Sequence, residues 1–302
     1  MHVPISVTSF WKVTMSRSPR KLIVPLLAFA VLALAACGSG ATGGSGGAQG
    51  DSVQGGALPG EHVHGVARDP GTGGVYLATH QGLYRYEKGT STRVGPVVDW
   101  MGFSIAGPGH FYGSGHPGDG ADLPAPVGLM ESKDAGKTWS VLSRGGESDF
   151  HALTVSSKGV LGYDGALRAS SDGKTWTQPA MPAEPRSLAA APDGSRILAT
   201  TGNAVLVSTD QGATWTPLPG APQLLLAAWA DKTTATGVTT TGHLAVTTDA
   251  GATWTTGTAK VDSAQAMSAS RGEGGTLDVL VVTDTQVQKS ADSGASFSPL
   301  TT

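Results

Sequence analysis

The side chains best suited to chemistry are concentrated in one part of this 302-residue chain. Six of the eight histidines lie between residues 62 and 151, and the two exceptions are His2 and His243. Imidazole nitrogens bind zinc or copper and exchange protons near neutral pH. Aspartates occur among them, and a pair of carboxylates supplies the acid and base for glycoside cleavage. We therefore expect the functional site in this part of the chain.

The candidate residues occupy equivalent positions in successive segments. Four predicted strands begin with HVHG, DWMG, DFHA and EPRS, and the next strand of each segment ends near a polar residue. Strand ends that meet at one face bring these side chains together. The predicted ligand-binding residues are His64, His80, Met101, His116, His151 and Arg186; the candidate catalytic carboxylates are Asp99, Asp149 and Asp164; the candidate metal ligands are His64, His80, His116 and His151.

Three functional interpretations remain open at this point. Binding of a glycan or a protein partner needs no cofactor, and it is the interpretation we favour. Hydrolysis of a glycoside needs two carboxylates at a defined separation. A copper or zinc site needs converging imidazoles, and the spacing of His62 and His64 puts both on one face of a strand. Nucleic acid is not an expected partner, because only 14% of residues are charged and the net charge is -3.

A Pro- and Gly-rich segment at 114–130 interrupts the pattern near the candidate residues. Long loops of this kind often cover ligand sites. The sequence predicts either a lid over the histidine-bearing face or a merely tolerated insertion.

The elements that position these residues are indicated by an internal repeat. The stretch ESKDAGKTWSVL contains the pattern S-x-D-x-G-x-T-W, which recurs with small changes and loses one residue in its second copy. The aspartates of successive copies are 38, 38, 39 and 43 residues apart. A period near 40 is typical of a four-stranded propeller blade. The copies lie at 132–139, 170–176, 208–215, 247–254 and 290–297, with aspartates Asp134, Asp172, Asp210, Asp249 and Asp292.

The period and the 44 glycines predict an all-β fold, a six-bladed β-propeller over 61–302. Its blades are expected at about 61–98, 99–147, 148–183, 184–221, 222–260 and 261–302. The repeat itself has a mechanical explanation, since Asp caps a turn and Gly supplies a positive φ angle. Placed between the third and fourth strands, it lies on the face opposite the histidines. Each copy offers one carboxylate, which disfavours calcium.

The repeated pattern resembles the Asp-box, or BNR repeat. The family that carries it includes sialidases, sortilin-type receptors and photosystem assembly factors, and its members are β-propellers. The resemblance implies a glycosyl hydrolase-like fold. It does not imply sialidase activity, because the family's Arg-Ile-Pro motif is missing and only Arg186 has a suitable position among the three arginines expected.

The N-terminal region predicts export and anchoring. Residues 1–36 contain a basic start and the apolar run 22–36, which fits a signal peptide beginning at Met1 or Met15. The run ends in Leu-Ala-Ala-Cys37, which resembles a bacterial lipobox and implies a lipid on Cys37. Residues 37–60 are rich in Gly and Ser and predict a flexible tether. We therefore expect a propeller anchored to the outer face of the bacterial cytoplasmic membrane.

Overall fold

The computed structural model describes residues 52–53 and 58–301. The predicted signal peptide, Cys37 and most of the predicted tether lie outside these residues. The described part of the chain contains 24 strands and one short 3-10 turn, Glu273–Gly275. None of its helices has the length and apolar character needed to span a membrane. The all-β prediction is confirmed.

The strands form six sheets in the order predicted. Blade 1 contains β1 Ser52–Val53, β2 Val63–Arg68, β3 Val75–Thr79, β4 Gly82–Glu87 and β5 Thr90–Val94; blade 2 contains β6 Val98–Gly107, β7 His110–Pro117, β8 Leu129–Ser132 and β9 Ser140–Ser143. Blade 3 contains β10 Ala152–Ser156, β11 Gly159–Tyr163 and β12 Leu167–Ser170; blade 4 contains β13 Ser187–Ala190, β14 Ile197–Thr200, β15 Val205–Ser208 and β16 Thr216–Pro217. Blade 5 contains β17 Leu224–Trp229, β18 Ala235–Thr239, β19 His243–Thr247 and β20 Thr255–Lys260; blade 6 contains β21 Ala266–Arg271, β22 Leu277–Val282, β23 Val287–Ser290 and β24 Ser298–Pro299.

Each blade is an antiparallel meander, and the six sheets of residues 58–301 make a six-bladed propeller. Two blades depart from four strands. In blade 3 a single bridge from Ala169 to Thr177 stands where a fourth strand is expected. Pro179 and Pro182 follow this bridge and provide no N–H group to extend it. In blade 1, β1 pairs with β5, so this sheet begins inside the segment 37–60 that was predicted as a tether.

The repeats form the hairpins between third and fourth strands. In the copy at 208–215 the Ser208 hydroxyl donates to the Asp210 carboxylate, and the Thr214 N–H and hydroxyl donate to it as well. Gly212 has φ +83°, and a Cβ there would lie 2.8 Å from Leu161 of the preceding blade. The repeat therefore closes a turn and packs it against the neighbouring sheet.

The core of the propeller lies between the blades. Six clusters of buried apolar side chains each join two adjacent sheets, and one of them joins blade 6 to blade 1 through Leu280, Val282 and Val63. The Val63 N–H also donates to Gln265 Oε1 of blade 6, 2.8 Å away. The ring thus closes by packing and side-chain hydrogen bonds between blade 6 and blade 1, and these blades exchange no strand within 58–301.

Candidate functional site

Each blade contributes to the mouth of the central channel, and in each one residue near the start of the inner strand occupies the equivalent position. Four of the six were predicted, and they lie together as expected. The mouth encloses a cavity of about 290 Å³. The mouth ring consists of His64, Met101, His151, Arg186, Leu225 and Gln265.

Backbone irregularities direct three of these side chains into the channel. The register of β2 with β3 shifts between Val63 and Gly65, which leaves His64 as the extra residue of a β-bulge. The same shift occurs at Met101 in β6 and at Leu225 in β17. A bulge turns one side chain away from the regular alternation of a strand, and bulges are common beside functional sites. Leu225 and Gln265 were missed, because neither has a side chain that suggests chemistry.

A second ring lies two residues further along each inner strand, where the two-residue period brings side chains back to the channel. It is apolar, and it borders both the mouth cavity and a second cavity of about 490 Å³ on the side of the repeats. Its members are Val66, Phe103, Leu153, Leu188, Ala227 and Met267. The mouth cavity is therefore a polar cup with an apolar floor.

A chain of three side chains crosses from blade 2 to the mouth cavity. Oδ1 of Asp99 lies 2.6 Å from Nδ1 of His80, and Nε2 of His80 lies 3.1 Å from Nε2 of His64. The carboxylate can only accept, so His80 carries its proton on Nδ1 when neutral and presents a lone pair on Nε2. His64 reaches the cavity wall at the end of this chain.

The environment of His64 favours the neutral imidazole. Burial lowers the pKa of His64 below its ordinary value of 6.5, and His80 lowers it further. Asp99 acts in the opposite direction without reversing the shift. His64 is therefore mainly uncharged at neutral pH.

A second cluster joins blades 2 and 3. Oδ2 of Asp149 accepts from Nε2 of His151 at 2.7 Å and from Nε2 of His116 at 3.0 Å. The two clusters have the same arrangement. In each, a histidine near the end of the second strand of one blade contacts an aspartate at the start of the next blade. His116 lies outside the mouth ring, whereas His151 belongs to it.

Asp164, predicted as a catalytic carboxylate, has a different environment. Its side chain is 6% exposed, and it pairs with Arg168 at 3.2 Å and with Arg144 at 3.8 Å. The Ser148 hydroxyl donates to the same carboxylate. Its oxygens are engaged by these side chains of blades 2 and 3, so Asp164 joins neither cluster and does not line the mouth cavity.

The charges around the cavity are uneven. Arg186 is exposed there, and its guanidinium has no ion-pair or hydrogen-bond partner among residues 58–301. No Asp or Glu of this part of the chain lines the cavity, since Asp99 and Asp149 lie behind the imidazoles that they contact. The cup, as residues 58–301 form it, therefore presents one unpaired positive charge and no carboxylate.

Two further predictions concern this face. The insertion between β7 and β8 packs on blade 2, where Val127 is buried in the core, and none of its residues lines the mouth cavity. Within the described part of the chain, no group of three or more His, Cys, Asp or Glu side chains has the arrangement of a complete metal site. The four histidines predicted as metal ligands fall into the two separate hydrogen-bonded clusters.

Comparisons with known proteins identify the fold. The chain matches no protein-family model and no curated protein. It is similar to a gluconolactonase of Xanthomonas campestris, XC5397, with 10% identity and a TM-score of 0.57 over 76% of this chain and 86% of that one. It is also similar to the GH74 enzyme of Niastella koreensis, with 20% identity and a TM-score of 0.54 over 79% of this chain and 37% of that one.

A GH74 xyloglucanase of Xanthomonas campestris gives the same result, with 18% identity and a TM-score of 0.52 over 83% of this chain. This chain spans 37% and 47% of the two GH74 enzymes, less than half of either. At such identities the likeness shows the β-propeller fold alone.

Proposed function

We propose that this propeller binds a small molecule carrying a carboxylate or phosphate group, held in the cup formed by the mouth ring. The observation that carries the proposal is the unpaired guanidinium of Arg186 beside a cavity that no carboxylate of residues 58–301 lines. Arginine binds carboxylate and phosphate through two parallel hydrogen bonds. His151 and Gln265 also line the cup, but the Nε2–H of His151 is donated to Asp149 and the amide N–H groups of Gln265 are donated to Glu61 and Asp284. The guanidinium of Arg186 therefore supplies the donors for an anion. An acidic sugar or a free organic acid has the matching chemistry.

The size of the cup agrees with this ligand class. A volume of about 290 Å³ is at the lower end of the range for small-molecule sites. The apolar floor would contact the uncharged part of the ligand, while the charged group faces Arg186.

Calorimetric titration of the full chain with glucuronate, citrate and phosphate tests the proposal, with neutral glucose as the comparison. We expect binding of at least one anion and an affinity about tenfold or more lower in Arg186→Gln, because a charge-assisted hydrogen bond contributes about 1.5–3 kcal/mol. Arg196→Gln is the matched control, since Arg196 lies in the turn between β13 and β14, away from the cup. Equal binding of glucose, or an unchanged affinity in Arg186→Gln, contradicts the proposal.

Glycoside hydrolysis has less support than binding. Asp164 is paired with two arginines, and Asp99 and Asp149 are each engaged by imidazoles. A retaining or inverting hydrolase needs two carboxylates open to the same substrate. The similarity of the eight-residue repeats to the Asp-box supports a structural role for them, which is compatible with either function.

We also propose that the propeller is tethered to the outer face of a bacterial cytoplasmic membrane through Cys37. The support is the lipobox-like sequence before this cysteine, the only one in the chain. Mass spectrometry of protein from membrane fractions tests it. Wild-type protein should carry a diacylglycerol adduct, and Cys37→Ser should appear without it in the soluble fraction.

A further inference from the structure

We propose that His64 and His80 form an open binding site for a single Cu²⁺ or Zn²⁺ ion, with Asp99 orienting His80. The inference concerns the wall of the cup and stands independently of the proposed anion ligand. It narrows the four histidines that the sequence suggested to two, since His116 and His151 share Asp149 instead.

The two imidazoles are placed as ligands of one ion would be. Their Nε2 atoms are 3.1 Å apart. With a metal–nitrogen distance of roughly 2.0–2.1 Å, this separation corresponds to an angle of about 95–102° at the ion. Such an angle lies between the octahedral and tetrahedral ideals. The ring planes are nearly perpendicular, and the ring centroids are 4.5 Å apart.

The contact behind His80 is the one that metal-binding histidines typically have. Such a ligand usually donates its second ring N–H to a carboxylate, which fixes the tautomer and the orientation of the ring. Oδ1 of Asp99 lies 2.6 Å from Nδ1 of His80 and provides this contact. The lone pair of His80 Nε2 then points toward His64.

Binding requires a change of tautomer at His64. Without metal, His64 Nε2–H donates to His80 Nε2, because that nitrogen carries the lone pair. With metal, the His64 proton moves to Nδ1, and both Nε2 lone pairs face the ion. Nδ1 of His64 makes no hydrogen bond within residues 58–301 and is available for this proton.

Two protein ligands leave coordination positions for solvent or for an anionic group bound in the cup. A further imidazole, that of His62, has its ring centroid 5.8 Å from that of His80. Its side chain is exposed. The part of the chain that the structure describes holds no group of three or more such ligands, so the site proposed here has two protein ligands. Imidazole ligands and the Irving–Williams order predict tighter binding of Cu²⁺ than of Zn²⁺.

The experiment uses tag-free full-length protein carrying Cys37→Ser, so that the thiol cannot contribute, after removal of metal with EDTA. Titration with Cu²⁺ and Zn²⁺ against a chromogenic chelator measures affinity and stoichiometry. We expect one ion per chain. His64→Ala and His80→Ala should each weaken binding by more than the ~10–100-fold loss expected for Asp99→Asn, since an outer partner contributes less than a ligand. His116→Ala and His243→Ala are controls and should retain wild-type affinity.

Because a histidine variant could fail to fold, a second measurement uses protein in which all histidines are intact. The electron paramagnetic resonance spectrum of the Cu²⁺ complex should show hyperfine coupling to two imidazole nitrogens, or to three if His62 also binds the ion. Binding that is unchanged in both His64→Ala and His80→Ala, or a Cu²⁺ spectrum without imidazole nitrogen, overturns the proposal. Metal binding by Arg186→Gln should equal that of wild type, whether or not this variant binds an anion. The metal proposal and the anion proposal are therefore tested independently of each other.

Discussion

The backbone N–H of Val63 donates to Oε1 of Gln265, 2.8 Å away in space and 202 residues away in sequence. Val63 begins the inner strand of blade 1 and is 2% exposed, and Gln265 precedes the inner strand of blade 6. The Gln265 amide also donates to the Glu61 carbonyl and the Asp284 carboxylate. One side chain thus joins the first blade to the last.

We predict that Gln265→Ala lowers the free energy of unfolding by about 1–3 kcal/mol, because it leaves a buried N–H without its partner. Urea denaturation followed by circular dichroism measures this change. Gln178→Ala is the control; Gln178 is exposed and its side chain accepts a hydrogen bond from exposed Arg168 atoms, and its replacement should change the free energy of unfolding by no more than about 0.5 kcal/mol. An equally small effect at Gln265 would show that packing alone closes the ring.

Gly102 follows the bulge at Met101 and lets blade 3 approach blade 2. A Cβ at Gly102 would lie 2.3 Å from the Phe150 carbonyl oxygen and 3.0 Å from the Leu153 side chain. Gly102→Ala should therefore force the two inner strands apart and cost about 1–3 kcal/mol. Gly107→Ala in the same strand is the control, since a Cβ there meets nothing within 4 Å. Thermal unfolding of the two variants compares them, and similar melting temperatures would contradict the explanation.

The fold could be predicted from the sequence because the residues that determine it recur at regular intervals along the chain. The spacing of Asp134, Asp172 and the later copies set the length of a blade, and the two-residue period of strands set which side chains face the channel. Together they predict that His64, Met101, His151 and Arg186 lie in one ring. The six sheets and the mouth cavity agree with that placement.

The rest of the site depends on contacts that periodicity does not encode. The pairing of Asp99 with His80 crosses from one blade to the next and depends on how both rotamers pack. The pairing of Asp164 with Arg144 and Arg168 is of the same kind, and it removes a carboxylate that the alignment of strand ends had placed at the site. Leu225 and Gln265 belong to the mouth ring because of their positions in the backbone, and their residue types gave no indication of this.

Asp164 is predicted to stabilise the protein rather than to act on a ligand. Replacing it with alanine leaves Arg144 and Arg168 without their shared carboxylate in a largely buried setting. We expect a loss of about 3 kcal/mol in the free energy of unfolding, typical of breaking a buried ion pair. Anion affinity of the folded fraction should be unchanged, because Asp164 does not line the cup.

The control for this prediction is Asp262→Ala, which removes an exposed aspartate between β20 and β21 and should change the free energy of unfolding by less than about 0.5 kcal/mol. Urea denaturation and anion titration are done on the same preparations. If Asp164→Ala is as stable as wild type but loses ligand affinity or a hydrolytic activity, Asp164 is part of the functional site and this prediction is wrong.

The repeat aspartates predict how stability changes in acid. Hydrogen bonds from the Thr214 side chain and backbone, and then from Ser208, lower the pKa of Asp210 from 3.8 to about 2. Similar bonds lower the pKa of Asp172, Asp249 and Asp292 to about 2. A carboxylate whose pKa is lower in the folded than in the unfolded state stabilises the fold above the unfolded value. This stabilisation is lost as the pH falls through about 4 toward 2.

Asp210→Asn tests this relation, because the amide cannot be ionised at any pH. The variant should melt below wild type at pH 6, and most of the difference between the two should disappear by pH 2, where the wild-type carboxylate is half protonated. Asp262→Asn, an exposed aspartate outside the repeats, is the control and should follow the wild-type curve across the whole range. Thermal unfolding from pH 6 to pH 2 measures all three proteins. A difference between Asp210→Asn and wild type that stays constant with pH would mean that the turn depends on the shape of the side chain and not on its charge.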